Sequence, residues 1–260
     1  RWSAGRGAAV PLAQAVAHAG ELGRFLDEAI TQGVDLAKLK TLAPERYAAH
    51  WQDVVKFLDI VVEQWPKLLA AEGGAEPAKL RDLQLRALAK TLAEKPPRAP
   101  VIAAGSTGSI PATAELLKVI AHLPLGAVVL PGLDTDLDAA AWEALDAAHA
   151  QFGLRQLLGH IGTERESVAL WSPLPRDYEA RAIRVRFLSD ALRPPPATDA
   201  WRDLVEKNGG QWSKALSGVA LLEAQNPREE ALGIAVALRE ALETEGRTAA
   251  LVTQIGRAHV

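Results

Sequence analysis

Two short apolar runs that enclose one helix-forming segment constrain the fold of this chain more than any other feature. The runs are residues 101–104 and 127–130, and glycine or proline ends each of them. Both have the length and composition of buried strands. Residues 111–122, between them, predict a helix with proline in its first turn. Strand, helix and strand at this spacing predict a parallel α/β unit.

The segment before this unit has a helical pattern throughout. Apolar residues recur at helical spacing within residues 12–30 and 47–69, and a third helical segment follows. Pro66 lies inside the second stripe and predicts a kink or a break there. Residues 94–100 are polar and proline-rich, which is typical of a stiff linker. We therefore predict a helical domain over residues 1–96.

The second half of the chain mixes strand and helix patterns. Residues 183–187 alternate as in a strand, and residues 219–223 and 248–252 are apolar runs typical of strands. Residues 227–242 predict a strong helix with two acids in its first turn, where they favour the helix dipole. The α/β pattern therefore extends over residues 97–253.

Composition limits the chemistry that the chain can perform. It has 260 residues, no cysteine and a formal net charge of -3. Thiolate catalysis, disulfides and cysteine-ligated zinc or iron–sulfur sites are therefore excluded within it. The nearly neutral charge gives no whole-chain attraction to nucleic acid, so any DNA contact depends on local patches. No apolar run is long enough to span a bilayer, and we expect a cytoplasmic protein without a membrane partner.

The segment between the first strand and the helix is a candidate phosphate or DNA loop. It consists of Gly105, Ser106, Thr107, Gly108 and Ser109. Backbone N–H groups and a helix N-terminus at such a position can bind phosphate. The segment lacks the Gly-Lys-Ser/Thr ending of a P-loop and does not fit G-x-G-x-x-G. From the residues alone, a phosphate site and a plain strand-to-helix turn both remain open.

The densest basic group is a candidate for contact with the DNA backbone. It contains Arg181, Arg184 and Arg186. On a strand, Arg184 and Arg186 would share one face. The alternative is a solvated face on which these arginines pair with nearby acids.

Three alternating acids, Asp134, Asp136 and Asp138, resemble the start of a calcium loop. The glycine and the distal glutamate that complete such a loop are absent. Asp138 is better interpreted as the N-cap of a helix. The histidines are scattered without metal-ligand spacing, so we expect no metal and no cofactor.

Several long segments resemble the AddB family of the alphaproteobacterial type. They are residues 100–117, 126–138, 188–194 and 229–253. AddB is the subunit with a degenerate helicase core in the AddAB helicase–nuclease, which unwinds and resects DNA double-strand breaks for recombinational repair. The chain contains no methionine, and the resemblance implies an internal fragment without the family's N-terminal start or its C-terminal nuclease domain.

The resemblance also implies a domain arrangement, because AddB is similar to superfamily 1 helicases of the UvrD type. Residues 1–96 would be a helical inserted domain. A parallel-sheet, RecA-like core of the degenerate P-loop NTPase type would follow, with its first lobe over residues 97–215 and the start of its second over 216–253. Residues 254–260 resemble a translated sequencing adapter, and we expect a non-native tail there.

The comparison with active helicases implies a loss of ATP chemistry. In those enzymes a strand is followed by Asp-Glu, a polar turn and a proline-initiated helix, and the acids hold magnesium and orient the attacking water. Alignment on Pro111 places Ala104 and Gly105 at the two acidic positions. Neither binds a metal or acts as a base. The resemblance therefore implies an inactive fragment of an ATP-dependent helicase/nuclease subunit, whose partners are the AddA subunit and DNA ends.

Two other functions remain open from the sequence. The chain would be a stand-alone nucleotide-binding α/β enzyme if residues 105–109 hold a nucleotide. The other alternative is a protein-interaction module with no role on DNA.

Overall fold

Helices and one small parallel sheet make up the computed structural model, which describes residues 11–36, 38, 60–171 and 178–253. In these ranges the α-helices are α1 (Leu12–Thr31), α2 (Trp65–Ala71), α3 (Pro77–Glu94), α4 (Pro111–Ala121), α5 (Ala139–Glu143), α6 (Phe152–Ile161), α7 (Tyr178–Ala191), α8 (Trp201–Ala215) and α9 (Pro227–Leu242). The strands are β1 (Val101–Ala104) and β2 (Gly126–Val129). The chain is mostly helical, and the parallel pair is its α/β element.

The two strands are parallel and are joined through α4, as predicted. Val101 lies opposite Gly126, and Ala104 lies opposite Val129. The second strand begins one residue earlier than expected. The prediction that both strands are buried is wrong, since Ile102 on β1 is 58% exposed. Within the described residues the sheet has only these two strands, and helices cover one face of it.

The first core lies between this sheet and the helices α4 and α6. Ala114 and Leu117 of α4 pack against Leu157 of α6, and Ala103 and Val128 contact them from the sheet. Helix α4 also packs on α3, which in turn packs on α1. The helical first third and the parallel unit therefore share a continuous row of packed helices.

The helical prediction for the first third is confirmed for α1 and α3. Residues 39–59, which include much of the second predicted stripe, lie outside the described residues. A single π-helical turn, Ile60–Gln64, precedes α2, and Pro66 lies in the first turn of α2. The helix changes from π to α directly before Pro66, at a first-turn position where the missing backbone donor costs little. A kink at this proline stays a prediction.

Three strand predictions in the second half are wrong. Residues 183–187 belong to α7, which packs along α8. A short alternating pattern does not decide the structure when the flanking residues favour a helix and a second helix covers it. Residues 219–223 and 248–252 form neither helix nor strand. A strand needs a hydrogen-bonded neighbour, and no described residue pairs with these segments.

Helix α9 was predicted with its correct bounds, Pro227–Leu242. The side chain of Asn226 accepts hydrogen bonds from the amides of Arg228 and Glu229, which caps the helix. No residue of α9 is buried.

A second apolar cluster lies between α5 and the start of α6. Leu137, Ala141 and Leu145 form it, with Phe152 and Ala197 packed against them. Ala197 belongs to the turn Pro195–Ala200, which joins α7 to α8. No helix in the described residues has the length and apolar character that a membrane crossing requires.

Candidate functional site

The loop after β1 has a conformation that requires glycine at two positions. Gly105 and Gly108 have φ angles of 79° and 63°, in the left-handed region. The amide of Gly105 donates to the carbonyl of Val129 at 3.1 Å. A Cβ atom at Gly108 would lie 2.7 Å from Cδ1 of Leu157. Gly105, at the start of the loop, is therefore hydrogen-bonded to the sheet. Gly108, near its end, packs against Leu157 of the first core.

Helix α4 begins directly after this loop without a capping side chain. Ile110 occupies the N-cap position and makes no side-chain cap hydrogen bond. A cavity of about 230 Å³ lies beside it, and Ser109, Gln156 and His160 contribute its polar lining. The end of the loop, the start of α4 and part of α6 thus line a small cavity, and no lysine or arginine is among its described lining residues. The amide of Gly108 donates to Oγ of Ser106 at 3.3 Å. A phosphate or DNA site at this loop stays a prediction.

Ala104 and Gly105 lie where the helicase comparison places the two acids. Ala104 ends β1 opposite Val129, and Gly105 follows it into the loop. Both residues are exposed. A methyl group and a hydrogen atom therefore occupy the carboxyl edge of the sheet at these positions. In the described part of the chain no three His, Cys, Asp or Glu side chains converge on one point.

The arginines of α7 are arranged differently from the prediction. Residues two apart on a helix point about 200° away from each other, so Arg184 and Arg186 do not share a face. Arg184 donates to the carbonyls of Ala215 and Ser217, at 2.8 and 2.5 Å. These carbonyls lie at the C-terminal end of α8, where a cation also meets the negative end of the helix dipole.

The other two arginines of this group lie on different sides of α7. Nε of Arg186 lies 3.6 Å from Oδ1 of Asp136, and Arg181 is exposed. The three side chains do not form a single basic strip. Contact with DNA at these positions remains a prediction.

The three alternating acids lie in one turn, residues 134–138, which we call the acidic loop. Oδ1 of Asp134 accepts hydrogen bonds from the amides of Asp136 and Leu137, at 2.9 and 3.0 Å. Asp138 caps α5, as predicted, by accepting from the amide of Ala141 at 2.9 Å. That hydrogen bond and the nearby guanidinium of Arg193 hold the pKa of Asp138 below its ordinary value. The acids therefore organise local structure.

Two buried arginines support the acidic loop. Nη1 of Arg165 donates to the carbonyl of Leu137 at 2.7 Å, and its guanidinium lies 4.7 Å from the ring centroid of Trp142. Arg193 is paired with Asp138, and its Nε donates to the carbonyl of Ala197 at 3.0 Å. Sequence reasoning missed both, because a single arginine that bonds to carbonyls has no periodic signal.

Asp190 was also missed by sequence reasoning. It is buried between α7 and α8, and burial raises the pKa of its carboxyl group, although Arg193 opposes that change. Its Oδ2 atom has no hydrogen-bond partner among the described residues. A buried acid beside arginines that already bind other groups is the least satisfied polar residue of this region.

His149 links the acidic loop region to the end of α7. Its Nδ1 accepts from the amide of Gln151 at 3.1 Å, so the proton of the neutral ring lies on Nε2. Nε2 donates to the carbonyl of Leu192 at 2.6 Å. Gln151 in turn donates to the carbonyl of Gly132 and accepts from the amide of Asp134, both at 3.0 Å.

The described residues thus form a parallel strand–loop–helix–strand unit, and a network of polar contacts around the acidic loop lies beside it. We compared the chain with protein-family models, with curated proteins and with solved structures, and no match was found. The AddB resemblance therefore stays a prediction from the sequence segments, and a RecA-like core stays part of that prediction.

Proposed function

We propose that this chain is a segment of an AddB-type subunit and acts in the cytoplasm as a degenerate helicase scaffold in DNA double-strand break repair. In this role it shapes the complex around DNA ends, and an AddA-type partner supplies ATP hydrolysis. The observation that carries the proposal is the position of Ala104 and Gly105. They lie at the carboxyl end of a parallel strand, before a polar loop and a proline-initiated helix.

The chemistry of ATP hydrolysis explains why these two residues matter. A helicase of the compared group needs carboxylates at this edge to hold magnesium and to orient water. A methyl group and a hydrogen atom do neither. The strand, loop and helix that would present such carboxylates are nevertheless retained. Retention of the frame without its reactive groups favours a scaffold over a catalyst.

Exposed apolar surface supports a role inside a larger assembly. Ile102, Leu221 and Val252 are 58%, 86% and 92% exposed. Large apolar side chains that are exposed in this way are available for contact with a partner. The same observation favours a second candidate, a protein-interaction module with no role on DNA.

Reconstitution with the partner tests the proposal. The chain, immobilised by one end, is mixed with a purified alphaproteobacterial AddA subunit and blunt-ended DNA, and retention of each is measured. We expect AddA to be retained by the chain and the DNA to be retained only when AddA is present. Failure to retain AddA would reject the AddB assignment. Retention of AddA without any DNA would favour the interaction module.

The nucleotide-binding alternative is tested by binding rather than by turnover. A fluorescent ATP analogue with magnesium is titrated into the chain and into the variant Gly108→Ala. We expect neither protein to bind it at millimolar concentration. Tight binding by the parent that the substitution abolishes would establish the enzyme alternative. Gly159→Ala is the matched control, since a Cβ atom there meets nothing within 4 Å.

A further inference from the structure

One face of α7 matches the acidic loop residue by residue. Arg186 pairs with Asp136 at 3.6 Å, and Oγ of Ser189 donates to Oδ1 of Asp134 at 3.0 Å. Just past the end of the helix, Arg193 pairs with Asp138. These α7 residues are three and four positions apart, which places them along one side of a helix. Every acid of the alternating set therefore has a partner on this side.

The contact between α7 and the acidic loop is polar. Among the described side chains of α7, only Ser189 and Asp190 are buried. Apolar anchoring is confined to the connection after the helix, where Pro194 is fully buried and Ala197 packs against the second apolar cluster. Between residues 181 and 191, no apolar side chain is buried. The attachment depends on charge and hydrogen bonds.

The α7–α8 pair has its own internal contacts. The rings of Phe187 and Trp212 meet edge to face, with centroids 5.6 Å apart. Arg184 binds the carbonyl end of α8. Nε1 of Trp201 donates to the backbone carbonyl of Asp190 at 2.8 Å. None of these contacts involves a residue of the acidic loop.

Ionic attachments of this kind are weak and sensitive to salt. Arg186 is 59% exposed and Asp136 is 31% exposed in their pair. An exposed pair of this kind contributes little to stability and is screened by mobile ions. The side chain of Arg193 in the pair with Asp138 is 5% exposed, so that pair is screened less. A segment held in this way opens more readily than one held by an apolar core.

We propose that α7 and α8, residues 178–191 and 201–215, form a charge-latched arm that swings away from the acidic loop as one unit when the polar contacts between them are screened or removed. The turn at residues 192–200 remains anchored through the carbonyl of Leu192 and through Pro194 and Ala197, and it serves as the hinge. Within this turn only the side chain of Arg193 leaves its partner. Release exposes the acidic loop and frees the arginine side of α7. This inference does not rest on the proposed function.

Distance measurements on the full chain test the arm directly. Since the sequence has no cysteine, spin labels are introduced cleanly at the exposed sites Lys118→Cys on α4 and Lys207→Cys on α8. Double electron–electron resonance then reports the distance between the arm and the first core. A second pair, Val185→Cys with Lys207→Cys, reports the internal geometry of the arm.

We expect one narrow core-to-arm distance at low salt and a second, longer population in high salt. Raising the salt from about 20 mM to about 0.5 M should increase that population at least about threefold. The double variant Asp136→Asn/Asp138→Asn should show it already at low salt. Asparagine at position 138 still caps α5, so the loss is confined to the charges. The internal pair should stay unchanged throughout.

A matched variant separates the latch from general charge effects. Asp82→Asn/Glu115→Gln changes the net charge by the same amount and removes both carboxylate partners of Arg86, between α3 and α4. We expect it to leave the core-to-arm distance unchanged. A single unmoved distance in high salt and in Asp136→Asn/Asp138→Asn would overturn the proposal. So would broadening of the internal pair, since the arm would then unfold instead of moving as a unit, or release in the matched variant.

Discussion

The β1–α4–β2 unit and the α7–α8 arm are held in place by opposite means. The first is fixed by apolar side chains such as Leu117 and Leu157, which are 3% and 1% exposed. The second contacts its neighbour through arginine, serine and carboxylate groups. Apolar contacts carry no charge to be screened or protonated, whereas charge pairs weaken with added salt and depend on pH. Local stability should therefore differ across the chain, and substitutions in the two regions should show it.

Gly126→Ala should have the largest effect on stability, because it adds a side chain at the start of β2. A Cβ atom there would lie 1.8 Å from the carbonyl oxygen of Ile120, so the backbone at the start of β2 or at the end of α4 must move. We expect a loss above about 4 kcal/mol in the free energy of unfolding, at the upper end for single substitutions. Urea unfolding measures it, with Gly159→Ala as the control. A loss below about 1 kcal/mol would show that the β1–α4–β2 unit adapts to the added methyl group more easily than its packing indicates.

Leu157→Ala should be the next most damaging. The side chain is buried against Gly108 and α4, and its removal leaves a cavity. The expected loss is about 3 kcal/mol. Leu188→Ala on α7 is the counterpart in the arm. Its side chain is 47% exposed, so that substitution should cost less than about 1 kcal/mol. Equal losses in the two variants would remove the contrast between the regions.

Substitutions of Asp138 separate its role as the cap of α5 from the effect of its charge. Asp138→Ala removes both roles and should cost about 1–2 kcal/mol, whereas Asp138→Asn keeps the cap and should cost less. The pKa of Asp138 is lowered in the folded chain, so its contribution is complete above its ordinary value and disappears as pH falls through the lowered one. Unfolding measured down through this range should show that the parent loses more stability than Asp138→Asn. Parallel curves would contradict the assignment.

Asp190→Asn should have the smallest effect and the opposite sign. Burial raises the pKa of this acid, so the folded chain binds its proton more tightly, and stability falls as pH rises from the ordinary carboxyl value through the raised one. The neutral variant avoids that loss and should gain about 1 kcal/mol at neutral pH. Asp203→Asn, at an exposed first-turn position of α8, should instead lose a few tenths of a kcal/mol. A destabilised Asp190→Asn would indicate that Arg193 outweighs burial.

The regions also differ in how well the sequence predicts them. Residues 101–130 were predicted almost to the residue, because glycine and proline mark the ends of their elements and apolar composition marks their interior. Helix α9 was predicted for the same reasons, with Asn226 and Pro227 at its start. The sequence alone is enough to predict an element where a particular residue type, such as glycine, proline or asparagine, marks its end.

The arm could not be predicted in this way, and residues 183–187 were assigned to the wrong element. Arg184 acts on carbonyls more than thirty positions away, and Arg193 reaches an acid 55 positions away. Contacts of that range leave no periodic trace in the sequence. The acids were noticed at the sequence level, but their partners Ser189 and Arg193 were not. Pairing between distant polar residues is fixed only when the chain has folded.

The open sheet has a practical consequence for anyone who handles this protein. Within the described residues β1 and β2 pair only with each other, so each presents a row of unused backbone donors and acceptors along its outer side. Such rows recruit further strands, from any chain, and native proteins usually shield them with charge or proline. The apolar run Val-Ile-Ala-Ala of β1 has neither. Samples should therefore be kept cold and dilute and used soon, since we expect aggregation to begin at the outer edges of β1 and β2.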